Sequence, residues 1–252
     1  MKMVLAILAF VAVLAGCSQP RSISNSNYQE TKDAKTEGGG GEFTYRGELN
    51  EFDVLGVYRQ ENVTDEDIAA ALDQGQRLKL RPGSAVLLIQ SGTMFPDGPM
   101  VAALSEHCRV SPFSGMPTER LHSGDNKDIN YSRSLRLAAA QGGCETILCY
   151  WGVLESASSG SLGKPINWVP VVNRLVPDEE QHMRLRVKMA VIDVRTGSWS
   201  TLSPPPVNDT ELSTKHSRAA ADQSLVELLK KEAYAACVEE LVGNYGMVAA
   251  VK

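Results

Sequence analysis

The apolar positions of this chain fall into distinct regimes. Val4 to Leu14 is an unbroken apolar run behind the short basic start Met1-Lys2-Met3. It is too short for a bilayer-spanning helix, which needs about 20 residues, and it fits the apolar centre of a cleaved secretory signal. From Ser18 to Glu42 the pattern reverses, with Ser, Asn, Gln, Lys, Thr and Gly dominating and Gly38-Gly39-Gly40-Gly41 near the end. Such a stretch has almost nothing to bury and reads as a flexible tether. About 24 residues of this kind span roughly 25–30 Å r.m.s..

Beyond the tether, strand-like and helix-like segments alternate. Phe52 to Val57 reads as a short strand. Thr64-Asp65-Glu66-Asp67 resembles a helix N-cap with acids in the first turn, leading into Ile68 to Leu72. Ser84 to Gln90 is a continuous apolar run between turn residues, the pattern of a strand covered on both faces. Pro99 is placed to open a helix that runs to about His107. Arg109 to Phe113 reads as a strand, Asp128 to Gln141 as a helix closed by Gly142-Gly143, and Glu145 to Leu154 as a second apolar strand. Met183 to Val194 alternates, with Met183, Leu185, Val187, Met189 and Val191 on one face and Arg184, Arg186 and Lys188 on the other. Arg195-Thr196-Gly197 turns the chain into Ser198 to Leu202. A closing helix from about Lys215 to Leu241 carries Val226, Leu229, Ala233, Cys237 and Leu241 on one stripe. The order predicts an α/β fold: a single domain over residues 43–252, with a mixed sheet of about six strands, helices on its faces and a long C-terminal helix.

The apolar run of the first regime ends in Leu14-Ala15-Gly16-Cys17. This box resembles the lipobox of bacterial lipoproteins. The resemblance implies that residues 1–16 are a signal peptide cut between Gly16 and Cys17. It also implies that Cys17 carries a thioether-linked diacylglycerol and that its new amine is acylated, for example with palmitate. A cysteine is needed because a thiolate is the nucleophile towards the lipid donor. Ser18 stands where an aspartate would resemble an inner-membrane retention signal. In a Gram-negative cell this implies an outer-membrane lipoprotein whose domain faces the periplasm, with residues 17–42 as the lipidated tether.

Two further resemblances concern the folded part. The segments Ala85 to Ile89, Thr146 to Gly152 and Val187 to Gly197 are similar to strands of small envelope α/β domains. Those include the N-terminal domain of TolB, the curli-secretion lipoprotein and lipoprotein activators of penicillin-binding proteins. Leu87 to Asp97 and Ile147 to Ser156 also resemble a group of uncharacterised envelope lipoproteins, some carrying an aminopeptidase label. That label brings no catalytic motif with it, and so implies no site residue here.

Composition narrows the chemistry. With 43% apolar and 22% charged residues the chain has ordinary globular proportions, and 25 basic against 30 acidic residues give a formal charge of −5. A surface of that sign does not attract nucleic acid. The four histidines, His107, His122, His182 and His216, are scattered, and no H-E-x-x-H occurs. Glu106-His107-Cys108 places three ligand types in a row. Adjacent helical side chains point about 100° apart, so the three cannot share one ion. No G-x-S-x-G elbow occurs either. Ser91-Gly92 does follow an apolar strand, where α/β folds often place nucleophiles or anion contacts. Ser161-Leu162-Gly163-Lys164 matches S-x-x-K, but lies in a Ser/Gly-rich stretch with no helix to align its ends. Cys108, Cys144, Cys149 and Cys237 remain after Cys17. Cys149 in an apolar strand and Cys237 on an apolar helix stripe read most simply as reduced core residues.

Two features could form a partner surface. One is the Arg184, Arg186, Lys188 ladder, whose simpler reading is a solvated sheet face. The other is the proline-punctuated apolar segment from Ile166 to Pro177, with Trp168, Val169, Val171, Arg174 and Leu175 as its prominent side chains. The favoured function is a membrane-anchored, non-enzymatic binding or assembly module. Its expected partners are the membrane, through lipid on Cys17, and an envelope protein or a second copy of itself, with no nucleic acid, cofactor or metal. The alternative is a periplasmic hydrolase, with aminopeptidase as the kind the label names, working near Ser91 or His107.

Overall fold

A computed structural model of the chain describes residues 20–25, 47–57, 64–73, 78, 80–117, 130–158, 180–212 and 218–246. In chain order the elements are β1 (Arg21–Ser22), a 3-10 turn (Ile23–Asn25), α1 (Glu51–Leu55), α2 (Asp65–Asp73), β2 (Ala85–Gln90), α3 (Gly98–Ser105), β3 (Arg109–Phe113), α4 (Tyr131–Gln141), β4 (Thr146–Ser158), β5 (Glu180–Asp193), β6 (Trp199–Leu202), β7 (Val207–Leu212) and α5 (Arg218–Tyr245). They form one α/β domain around a mixed seven-stranded sheet, ordered β3-β2-β4-β5-β6.

The two longest strands, β4 and β5, form its antiparallel spine, in register from Thr146 opposite Asp193 to Ser158 opposite Gln181. Each outer edge of this spine is shared by two short strands set end to end. Along β4, β2 pairs in parallel over Thr146 to Tyr150, and β1 pairs antiparallel at Val153 and Leu154. Along β5, β6 covers Met189 to Ile192 and β7 covers Glu180 to Leu185.

Alternation along these strands builds two cores. Val86, Leu88, Leu148, Tyr150, Leu185, Val187 and Met189 face Met100 and Leu104 of α3 and the apolar stripe of α5. Leu87, Ile89, Ile147, Cys149, Ala190 and Ile192 face Val54 and Leu55 of α1 and Leu135 and Ala139 of α4. The helices therefore lie on both sides, as continuous apolar strands require.

Local chemistry sets most boundaries. Asn50 caps α1 by accepting from the Phe52 amide at 2.9 Å, and Gly56 ends it at φ 73°. Those two signals overrule the strand expected over Phe52 to Val57: a polar cap and a left-handed glycine bracket one helical turn and a half. Pro99 lies in the first turn of α3, as expected. Asn130 caps α4 through the Arg133 amide at 3.0 Å. In the β5–β6 turn, the Asp193 carboxylate accepts from the Thr196 amide and hydroxyl at 2.7 and 2.8 Å.

Two strands were not legible. β7, with the sequence Val-Asn-Asp-Thr-Glu-Leu, has too few apolar residues to announce itself. β1 corrects the reading of residues 17–42 as tether throughout. Arg21 and Ser22 pair with Leu154 and Val153, and Ile23 is 1% exposed. Ile23 occupies the space above Gly152, where a Cβ would lie 2.5 Å from its Cδ1. The glycine leaves a notch that one branched apolar side chain fills, and that single residue is what a composition-based reading overlooks.

Candidate functional site

The parallel strands place the strongest candidate position. From β2 the chain passes through α3 to β3 on one side, then returns through α4 to β4 on the other. The carboxyl end of β2, beside the middle of β4, thus forms a topological switch point, where open α/β sheets hold their ligands. Gln90, Ser91 and Thr93 stand at or just past that end, with Tyr150 opposite Gln90 on β4 and Asp97 at the start of α3.

Here the protein's own groups satisfy one another. Ser91 is 1% exposed, and its hydroxyl oxygen accepts from the Leu49 amide at 2.7 Å. The Ser24 hydroxyl donates to the Ser91 carbonyl at 2.6 Å and accepts from Gln90 Nε2 at 3.2 Å. Gln90 Oε1 accepts from the Tyr150 hydroxyl at 2.6 Å and from the Asp97 amide at 2.7 Å. Tyr150 in turn accepts from that amide at 3.2 Å, and its ring meets Tyr234 edge-on at 5.6 Å. Asp97 Oδ2 accepts from the Tyr234 hydroxyl at 2.5 Å and pairs with Lys230 Nζ at 2.8 Å. Trp151 Nε1 closes the near side by donating to the Leu49 carbonyl at 2.9 Å. The N-terminal segments 20–25 and 47–50 thereby seat in the switch-point crevice. The Gly115 backbone also lies against it: a Cβ there would stand 1.8 Å from the Gln90 carbonyl oxygen.

The electrostatics suit structure rather than chemistry. Burial, with the neighbouring Asp97 carboxylate adding to it, raises the Tyr150 hydroxyl well above its ordinary range. Burial does the same to Tyr234. Both stay neutral donors. Ser91 lacks a base among the two described histidines. His107 precedes β3 and its carbonyl accepts from the Gly83 amide ahead of β2, eight residues or roughly 26 Å from Ser91. His182 pairs with Ala157, roughly 20 Å beyond Tyr150 along β4. Ser91 and His107, the two places where the hydrolase alternative would work, thus lie beyond opposite ends of β2.

The Glu106-His107-Cys108 row does not converge either. Cys108 is buried, its thiol donates to the Leu104 carbonyl at 3.2 Å, and burial pushes it up to about 11. A thiol is not a metal ligand until it ionises. Among the described residues no group of three His, Cys, Asp or Glu is placed to hold a metal ion. Cys108, Cys144, Cys149 and Cys237 are free and buried. Burial raises the Cys149 thiol and pushes Cys237 up to about 12.

The basic ladder is neutralised on its own sheet face. Glu155 pairs with Arg184 and, at 3.5 Å, with Arg186, while Glu51 pairs with Lys188 at 2.6 Å. Cys17, Gly16 and the segment bearing Trp168, Val169, Val171, Arg174 and Leu175 lie outside the described residues, as does Ser161 to Lys164. Sequence reading missed Asp97, Tyr150, Tyr234 and Lys230. One signal was available: Lys230 stands four residues from Val226 and from Tyr234, inside the buried stripe of α5, where a cation needs a partner.

The family profile described as "YafT bacterial lipoprotein" matches residues 50–244. No curated protein matches. Among solved structures, a PelC dodecamer from Paraburkholderia phytofirmans is 16% identical, covering 64% of this chain and 94% of its own, with a TM-score of 0.23. A putative neuraminyllactose-binding hemagglutinin homolog from Helicobacter pylori is 11% identical over 66% and 86%, with a TM-score of 0.30. The lipoprotein GNA1162 from Neisseria meningitidis is 12% identical over 59% and 98%, with a TM-score of 0.22.

Proposed function

The chain belongs to the YafT bacterial lipoprotein family, and we propose that it serves there as a non-enzymatic binding or assembly module of the cell envelope. In this reading residues 1–16 are removed, Cys17 carries the lipid, and the domain faces the periplasm from the outer membrane. Membership of a lipoprotein family supports the anchor. Among the described residues no helix is long and apolar enough to cross a membrane, which is compatible with attachment by lipid.

One observation carries the non-enzymatic part. The switch-point crevice is occupied by Ser24, Leu49 and a closed set of hydrogen bonds centred on Gln90. Its serine accepts a backbone amide where a nucleophile would need a base. Binding is then left to the outer surface. The apolar segment with Trp168, Val169, Val171, Arg174 and Leu175 is the proposed contact for an envelope protein or a second copy of the chain.

The first test is chemical. Full-length lipidated protein, purified in detergent and incubated with short peptides, is expected to release no amino acids. Release that disappears on Ser91→Ala, with the fold retained, or on adding a chelator would overturn the reading.

A further inference from the structure

Residues 21–24, close to the proposed lipid attachment point, are not free to act as a leash. Arg21 and Ser22 add a short antiparallel strand to β4, Ile23 is buried over Gly152, and the Ser24 hydroxyl bonds to the Ser91 carbonyl. The Ser22 hydroxyl adds a bond to Glu48 at 2.8 Å. Strand pairing, an apolar plug and a buried hydroxyl each resist detachment.

Only four residue steps separate Cys17 from Arg21. Fully extended, that chain reaches about 14 Å, whatever path it takes. A free tether over residues 18–42 would wander roughly 25–30 Å. The register also gives a direction. With Arg21 opposite Leu154 and Ser22 opposite Val153, going back towards Cys17 follows β4 towards Ser158. The sheet end carrying Glu155 of β4, Arg184 of β5 and Asn208 of β7 therefore lies next to the anchor. The β5–β6 turn at Arg195 lies at the opposite end, nine strand residues or roughly 30 Å further along β5.

We infer that residues 21–24 are a docking hook that holds this end of the sheet against the lipid surface and points the Arg195 turn away from it. The inference rests on the lipid anchor proposed above. The domain then has a fixed orientation instead of a swinging one. β4 ends and β5 begins at the held end, so a partner of the segment that joins them is reached at the membrane surface.

Energy transfer from single dyes to acceptor headgroups measures this orientation. Full-length lipidated protein is reconstituted into phosphatidylethanolamine–phosphatidylglycerol vesicles carrying a headgroup acceptor. The dye sits on Asn208→Cys in one sample and on Arg195→Cys in another. Both positions are exposed, whereas the native cysteines of the domain are buried and free. The expected result is at least twofold stronger transfer from position 208 than from position 195. Ile23→Asp, and independently Gly152→Ala, should eject the hook and bring the two efficiencies together, with thermal unfolding used to select the variant that keeps its fold. Mass spectrometry of the N-terminal peptide checks the anchor in the same samples. Lipid on Cys17 with equal transfer from both dyes, or stronger transfer from position 195, overturns the hook alone. Absence of lipid on Cys17 overturns the anchor and the hook with it.

Discussion

Asp97 shows how much a single side chain can organise. Its carboxylate accepts from Lys230 and Tyr234 of α5, while its backbone amide donates to Gln90 at the end of β2 and to Tyr150 beside it on β4. One residue at the start of α3 thus joins a helix to the sheet through charge and backbone together. Lys230 is 7% exposed, so removing its partner strands a cation that water cannot reach. Asp97→Ala should cost about 3–5 kcal/mol in chemical denaturation. Adding Lys230→Met should recover part of that loss, because the uncompensated charge is gone. A double variant no more stable than Asp97→Ala would mean that the pair is not coupled. At this scale the sequence was a partial guide. Ser91 was found by its place after an apolar strand, but its hydroxyl is used by the Leu49 amide, a contact across 42 residues that no local pattern encodes.

Elements were legible where they carried their own signal. β2, β3, β4, β5, β6 and the long closing helix follow from apolar runs, alternation and turn residues, and they appear within a few residues of the expected limits. α1 was misread because its five residues show neither period clearly, so Asn50 and Gly56 decide it. β1 and β7 exist only because β4 and β5 are longer than their first partners and leave edge positions to be paired. The closing helix offers a direct check on which face is inward. Leu229 is fully buried against the sheet, while its neighbour Leu228 is 44% exposed. Leu229→Ala should lower stability by about 2–5 kcal/mol, whereas Leu228→Ala should stay within about 0.5 kcal/mol of the parent. Similar costs for both would place a partner surface over Leu228 or rotate the helix from its described position.

For the whole molecule, the fold closes the place where open α/β sheets hold their ligands. The chain's own N-terminal segment fills the crevice between β2 and β4, and the basic ladder on β5 is answered by Glu155 and Glu51. Neither feature offers a free cationic surface or a prepared catalytic group. What was legible from sequence alone was the lipoprotein class, which the family match carries, and the α/β class, written in periodicity. The crevice was not legible, because it is assembled from residues 24, 49, 90, 97, 150, 230 and 234, brought together only by the sheet crossover. We propose that the protein works by binding an envelope partner. A photoreactive amino acid in place of Trp168, activated in intact cells, captures that partner if it exists. A discrete adduct with an envelope protein or with a second copy of the chain is the expected result; monomer alone, from protein shown to be lipidated and folded, would overturn the proposal.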